Sequence, residues 1–313
     1  MNSTRNILCV GELLVDCYDG LKTMGGAPAN VAAVAARLGS RSFFLGKIGA
    51  DSEGDFLIEE MIAHGVQVEH VVRDADAPTA IAHVSLDESG ERTFQFRRGA
   101  DERLRCDEVA PEVVQMMELV HFGSATAMLE GAQQTTRDTY FHLLQMAKAN
   151  RAYISFDANY REALWGTDVS GFRQAVTAAM AYADFVKLSE HELFLLTGTE
   201  QLTEALHKLH ALGVRIVTVT LGADGAILSD GYQIQRLAAL PVDVVDTTGA
   251  GDAFVAAVLH QLAANATDPR AHSFEDWTQM VVQANRIGAV ACTKVGALTA
   301  FTESGSTSAT HHL

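Results

Sequence analysis

Short runs of apolar and β-branched residues alternate with longer segments of helical period along most of this chain. Residues 6–10, 42–46, 119–122, 153–156, 185–188 and 214–221 have strand character. Between and after them, residues 27–38, 54–64, 132–149, 171–182, 190–196, 203–212, 250–264 and 274–292 repeat their apolar positions with the spacing of helices. Alternation of this kind predicts an α/β fold: parallel strands in one sheet, with crossover helices on both faces. Ligands then belong beyond the carboxyl ends of the strands.

Two stretches break the rhythm. Residues 12–22 and 79–98 alternate in polarity, and the second contains a turn sequence, Glu88-Ser89-Gly90. Together they read as a small β-sheet lid, although an ordinary edge hairpin would give the same pattern. Residues 302–313 are rich in Ser, Thr and Gly and are expected to form a disordered tail, which leaves 1–301 as one domain.

Composition narrows the partners. The chain has 313 residues and a formal net charge of -16. Such a field repels nucleic acid and anionic membranes, so a polyanionic ligand has to be held locally. No apolar run reaches the roughly 18 residues of a membrane span. Cys9, Cys17, Cys106 and Cys292 are isolated from one another, and no secretory segment is apparent, which points to free thiols in a cytoplasmic protein.

The candidate chemistry lies in two glycine motifs. Asp246-Thr247-Thr248-Gly249-Ala250-Gly251-Asp252-Ala253-Phe254 reads as a tight turn opening an apolar helix. Free N–H groups and the positive end of the helix dipole suit an anion there. A carboxylate in that field should stay ionised, so Asp252 is placed to accept a proton from a hydroxyl. Far away in sequence, Gly25-Gly26-Ala27-Pro28-Ala29-Asn30 sets Asn30 in the first turn of another helix. Alone, either motif would serve as a helix start. A Walker P-loop is absent, the glycines do not fit a dinucleotide-binding frame, and the scattered histidines form no metal motif.

The two motifs together resemble the signatures of the ribokinase-like (PfkB) carbohydrate kinases. Gly11-Glu12 through Asp16, the segment from Ser155 to Arg161, Val186-Lys187-Leu188-Ser189-Glu190-His191-Glu192, and the segment from Thr218 to Gly225 agree in order, and the details resemble the fructokinase branch most. The resemblance implies a three-layer fold with a lid and transfer of phosphate from ATP to a sugar, with fructose first. 2-Keto-3-deoxygluconate, an aminoimidazole riboside, or a non-catalytic sugar-binding role stay open.

By the same resemblance, Asp16, Gly25, Gly26 and Asn30 hold sugar hydroxyls, Arg98 reaches down from the lid, and Asp252 is the general base. The N–H groups of Gly249, Ala250 and Gly251 form an anion hole. Arg161 is either a phosphate clamp or a surface arginine. Lys187, Ser189, Thr220, Gly222, Gly225 and Asn285 line the nucleotide side, although a tight turn explains the two glycines equally well. Glu192 contacts Mg²⁺ through water, with Ser189 where relatives carry Asn. Asp246 and Thr248, with the carbonyls of Ala291, Lys294 and Gly296, match a potassium site. The resemblance also implies a homodimer through the lid. Only eight residues separate Asp16 from Gly25, which reads as a trimmed first lid ribbon.

Overall fold

The computed structural model describes residues 5–18, 20–86, 92–123, 128–129 and 135–302. Strand β1 (Ile7–Val10) runs directly into two lid strands, β2 (Leu14–Tyr18) and β3 (Leu21–Gly25), before helix α1 (Ala27–Arg37). Next come β4 (Ser42–Leu45), β5 (Lys47–Gly49), α2 (Ser52–Ala63) and β6 (Val72–Asp74), then a second lid pair, β7 (Ile81–Leu86) and β8 (Arg92–Arg97). After α3 (Pro111–Gln115) the βα rhythm settles into β9 (Leu119–Gly123), α4 (Thr135–Ala149), β10 (Tyr153–Asp157), α5 (Glu162–Trp165) and α6 (Val169–Met180). It continues with β11 (Phe185–Ser189), α7 (Glu190–Thr197), α8 (Leu202–Ala211) and β12 (Ile216–Thr220). β13 (Ala226–Ser229), β14 (Ile234–Leu237), α9 (Ala250–Ala264) and α10 (Phe274–Ala291) follow.

Among the described residues the main sheet has eight strands, in the order β14-β13-β12-β11-β10-β9-β1-β4. From β12 to β4 every pairing is parallel. Successive residues of one strand face opposite layers. Ile7 and Cys9 of β1 join the core formed with α1, α9 and α10, while Leu8 and Val10 join the core formed with α4, α6, α7 and α8. Both layers need an apolar surface, which is why β1 is buried along its whole length. Trp277 stacks on Phe185 in the first layer, and Trp165 and Phe172 meet edge to face in the second.

The lid is a separate four-stranded sheet, β3-β2-β7-β8, in which two antiparallel hairpins join through parallel β2 and β7. Its first ribbon pairs five residues with five, from Leu14↔Gly25 to Tyr18↔Leu21. The lid segment therefore extends to Gly25, past the residue 22 expected from polarity. The turn at 88–90 and the tail beyond 302 lie outside the described residues.

Two features went unseen in the polarity pattern. β13 and β14 add an antiparallel edge, but β14 exposes three of its four residues and shows no buried face to read. β5 and β6, three residues each, form a third sheet too short to carry a period. At its edge the buried Lys47 ammonium meets Asp74 at 3.0 Å, Glu108 at 2.7 Å and the Arg103 carbonyl at 3.0 Å, fastening the chain that leaves the lid. Removing the cation leaves two carboxylates facing each other. Lys47→Met is expected to cost about 3 kcal/mol, read as a lower urea midpoint with an unchanged m value.

Candidate active site

The strand ends of the main sheet and the inner face of the lid enclose a cavity of about 490 Å³. Its wall includes Asp16, Gly26, Asn30, Arg161, Lys187, Ser189, Glu192, Thr220, Thr248, Gly249, Gly251 and Asp252, drawn from segments scattered over most of the chain. Apart from Asp16, which comes from lid strand β2, each sits near the end of a strand of the parallel sheet or the start of a helix, as the topology requires.

Helix α9 starts at Gly249, whose φ of 77° turns the chain through the left-handed region. Asp246 holds the approach: its carboxylate accepts the Thr248 N–H at 3.1 Å, the Thr248 hydroxyl at 2.8 Å and the Gly296 N–H at 2.7 Å. The N–H groups of Val245 and Asp246 both reach the Cys292 carbonyl. The sequence assigned three N–H donors to an anion hole here, and one of them is corrected. The Ala250 N–H turns back to the Thr247 carbonyl at 3.2 Å, because the tight turn closes on itself, so that donor is already engaged.

Asp252 stands one residue further into the helix and is 7% exposed. Burial pushes its carboxyl above the usual carboxylate range, and nearby Asp157 adds to that. The Asn30 hydrogen bond, Lys187 and Arg161 pull the other way without cancelling it. The helix field alone suggested a plainly ionised acid; desolvation makes Asp252 a stronger proton acceptor instead.

Asn30 is the partner that the two motifs share. Its Nδ2 donates to Asp252 Oδ2 at 2.8 Å, while its Oδ1 is buried in the cavity wall with no hydrogen-bond partner among the described residues. Reaching Asp252 requires a sharp entry into α1. Gly26 provides it with φ 106°, and a Cβ there would stand 2.3 Å from the Glu12 carbonyl oxygen. The Glu12 side chain, given no role of its own in the sequence, accepts the Ala27 N–H at 3.3 Å. Gly25 does not line the cavity; it ends β3, and the Asp16 carboxylate lies over it where a side chain would otherwise be.

Across the cavity two cations converge. Arg161 lies on the wall with its guanidinium bonded to the Tyr160 carbonyl. The buried Lys187 ammonium meets Asp157 at 3.0 Å. Burial pushes Lys187 down, but Asp157, Glu192 and Asp252 outweigh it and leave its pKa raised, so it stays an ammonium. Glu192 uses both oxygens locally: Oε1 accepts the Tyr160 N–H at 2.7 Å and Oε2 the Ser189 N–H at 2.6 Å. Ser189 returns the bond to the Glu192 N–H, capping α7. Asn159, also missed, holds φ 41°, lines the cavity, and has a buried Oδ1 without a hydrogen-bond partner among the described residues.

Several expected residues stand outside the cavity. Arg98 turns its guanidinium to Asp101 and Glu102 on the chain below the lid. Gly222 and Gly225 make the turn into β13, with Gly225 pressed on the Leu237 carbonyl. Asn285 donates to the carbonyls of Leu237 and Ala238, tying α10 to β14. Gly296 donates its N–H to Asp246, and Ala291 ends α10. Among the described residues no cluster of three or more His, Cys, Asp or Glu side chains is arranged to hold a metal.

A lidded α/β scaffold with this strand order and its cavity at the strand ends is that of the ribokinase-like sugar kinases. The sequence pattern of the pfkB family carbohydrate kinases matches residues 4–304, and the chain belongs to that family. It is 35% identical over 290 residues to the fructokinase of Vibrio alginolyticus, covering 90% of this chain and 89% of the relative. To the fructokinase of Klebsiella pneumoniae it is 37% identical over 303 residues, covering 94% and 95%. The crystal structure of Vibrio cholerae O395 fructokinase with fructose, ADP and calcium ion superposes with a TM-score of 0.86 at 33% identity, covering 98% of this chain and 99% of that one. The Salmonella enterica aminoimidazole riboside kinase, complexed with that riboside and an ATP analog, gives 0.81 at 30%, covering 95% and 96%. The relatives place the chain in the fructokinase branch, and it is a sugar phosphotransferase.

The Asp252 environment has a measurable consequence for stability. Its folded pKa exceeds the unfolded one, so the fold favours the protonated form, and ionisation costs stability as pH rises through the folded pKa. Asp252→Asn is therefore expected to raise the thermal midpoint near neutral pH and to lose that advantage below about pH 4, where the unfolded carboxyl is protonated too. Asn30→Ala removes the bond that favours the carboxylate, and carboxyl NMR should report a still higher Asp252 pKa.

Proposed function

We propose that this enzyme transfers the terminal phosphoryl group of ATP to the primary hydroxyl of fructose, giving fructose 6-phosphate and ADP. The observation that carries the reading is the buried Asn30–Asp252 pair, set in one cavity with Lys187 and Arg161. A base and an amide face the acceptor, and two cations face the donor. Fructose in the Vibrio cholerae relative supports the sugar, and ADP there supports the nucleotide.

In this mechanism Asn30 orients Asp252 by holding Oδ2, leaving Oδ1 to take the acceptor's proton. Its own unpaired Oδ1 accepts from a sugar hydroxyl, and Asp16 accepts from others. The N–H groups of Gly249 and Gly251 receive charge that develops on the phosphoryl oxygens, and little covalent work remains for the protein. Closure of the lid over the cavity excludes water. Mg²⁺, bound with ATP, supplies neutralisation of the phosphate oxygens. Glu192 has both oxygens committed to N–H groups, which suits a contact to the ion through water, since Mg²⁺ keeps several of its waters. Potassium at Asp246, Thr248 and the 291–296 carbonyls would brace the turn before α9.

A second reading has one observation in its favour. Leu14, Phe96 and Leu164 give the cavity an apolar wall that the base of a riboside would use. An acid sugar has less support, since Arg98 is engaged with Asp101 and Glu102. Pairing of two copies through the lid would use the outer edge of β3, where Leu21 is 69% exposed. No described helix is long and apolar enough to cross a membrane.

A coupled ADP-release assay with Mg²⁺, potassium and ATP tests the reading. Fructose is expected to give the highest kcat/KM among fructose, 2-keto-3-deoxygluconate and the aminoimidazole riboside. Asp252→Asn should lower kcat by about 10²- to 10⁴-fold. Undiminished turnover in that variant rejects the base, and a higher kcat/KM on the riboside rejects fructose.

A further inference from the structure

Behind the cavity wall, beside Lys187, stands a buried side chain that neither glycine motif announces. Asp157 ends β10 in register with Lys187 of β11, and both are buried. Asp157 Oδ2 lies 3.0 Å and Oδ1 3.3 Å from the Lys187 ammonium, and Oδ1 also accepts the Asn159 N–H at 3.2 Å. One carboxylate thus holds the lysine and the start of the left-handed turn that leads to Arg161. From this tether, Lys187 Nζ comes within 2.8 Å of the point where a Cβ on Gly251 would stand. The ammonium lies against the first turn of α9, which carries Asp252. A lysine freed from Asp157 in that position would be drawn to the Asp252 carboxylate and would block the base.

We propose that Asp157 is a positioning residue, which anchors the Lys187 ammonium beside the Gly249–Gly251 turn so that it meets the phosphoryl group in transfer and stays off Asp252. The inference rests on the phosphotransferase reading above. In that step the acceptor oxygen bonds to the γ-phosphorus, the bond from that phosphorus to ADP breaks, and the hydroxyl proton goes to Asp252. Lys187 keeps its proton throughout and acts by charge. A side chain at position 251 would push the ammonium aside.

The test is a kinetic cycle on the full-length enzyme, with folding checked by thermal melting. Asp157→Asn preserves the side-chain shape, and its kcat is expected to fall about 10²-fold, with the fructose KM within about threefold of wild type. Lys187→Met should lose a comparable factor. Because one residue acts through the other, the double variant should lie within about threefold of Lys187→Met. A kcat loss under tenfold in Asp157→Asn, a loss carried by the fructose KM, or a double variant more than threefold below Lys187→Met would each overturn the proposal. If Asp157→Asn does not fold because it orphans a buried lysine, the double variant buries no lone charge, and its comparison with Lys187→Met decides. A wild-type enzyme inactive on every sugar would overturn the kinase reading together with this one, whereas active wild type with an unimpaired Asp157→Asn overturns this one alone.

Discussion

The hydrogen bond from Asn30 to Asp252 joins residues 222 positions apart, and the arrangement of the site depends on it. It exists because α1 and α9 pack on the same face of the sheet through small residues. Ala29, Ala32, Ala33 and Ala35 of α1 share one core with Ala253, Ala256 and Ala257 of α9. Small side chains let the two helix axes approach, so the first turns of both helices reach one point above the strand ends. Each first turn opens with a glycine whose backbone no other residue adopts cheaply, Gly26 at φ 106° and Gly249 at φ 77°. Geometry at the reacting centre is thereby set by helix packing, with the loops following.

Desolvation is what this packing adds to the chemistry. An exposed carboxylate at a helix start would be weakly basic and stabilised by the dipole. Buried under α1 and close to Asp157, Asp252 is pushed the other way. The cost is borne locally by Asn30, Lys187 and Arg161, each of which favours the ionised form. A chain of net charge -16 therefore sets cations and an amide dipole around a carboxylate in this cavity.

How much of this was legible depended on whether the signal was local. Helix α9 has the bounds 250–264 that its glycine turn and apolar run announce; β1, β4 and β12 fall within the apolar runs that predicted them, and β9, β10 and β11 each run one residue past theirs. Asp16, Asn30, Arg161, Lys187 and Asp252 line one cavity as their motifs suggested. Edge strand β14 was hidden because an exposed Ile-Gln-Arg-Leu has no buried face to mark. Arg98 sits at the end of the lid as read, but its partner Asp101, three residues on, competes for the guanidinium at close range. Asn285 has an amide suited to a base, yet its donors go to the carbonyls of Leu237 and Ala238, a contact set by how α10 crosses the sheet edge. No spacing in the chain encodes either outcome.

Register between strands is the kind of information least available in a sequence, and here it carries chemistry. Asp157 and Lys187 are 30 positions apart and become neighbours because β10 and β11 pair Ser155 with Phe185. A slip of one residue would send one of the two side chains to the opposite layer and leave the other as a lone buried charge. The pair therefore helps enforce the register that creates it. The same register sets the ends of β10 and β11 side by side, so that Glu192 at the start of α7 can bridge the Tyr160 N–H and the Ser189 N–H. Through that bridge the β10 exit, which carries Asn159 and Arg161, is fixed relative to Lys187. The Lys187 side of the cavity is thus assembled by sheet pairing and the Asn30 side by helix packing, and the two meet at Gly251 and Asp252 in the first turn of α9.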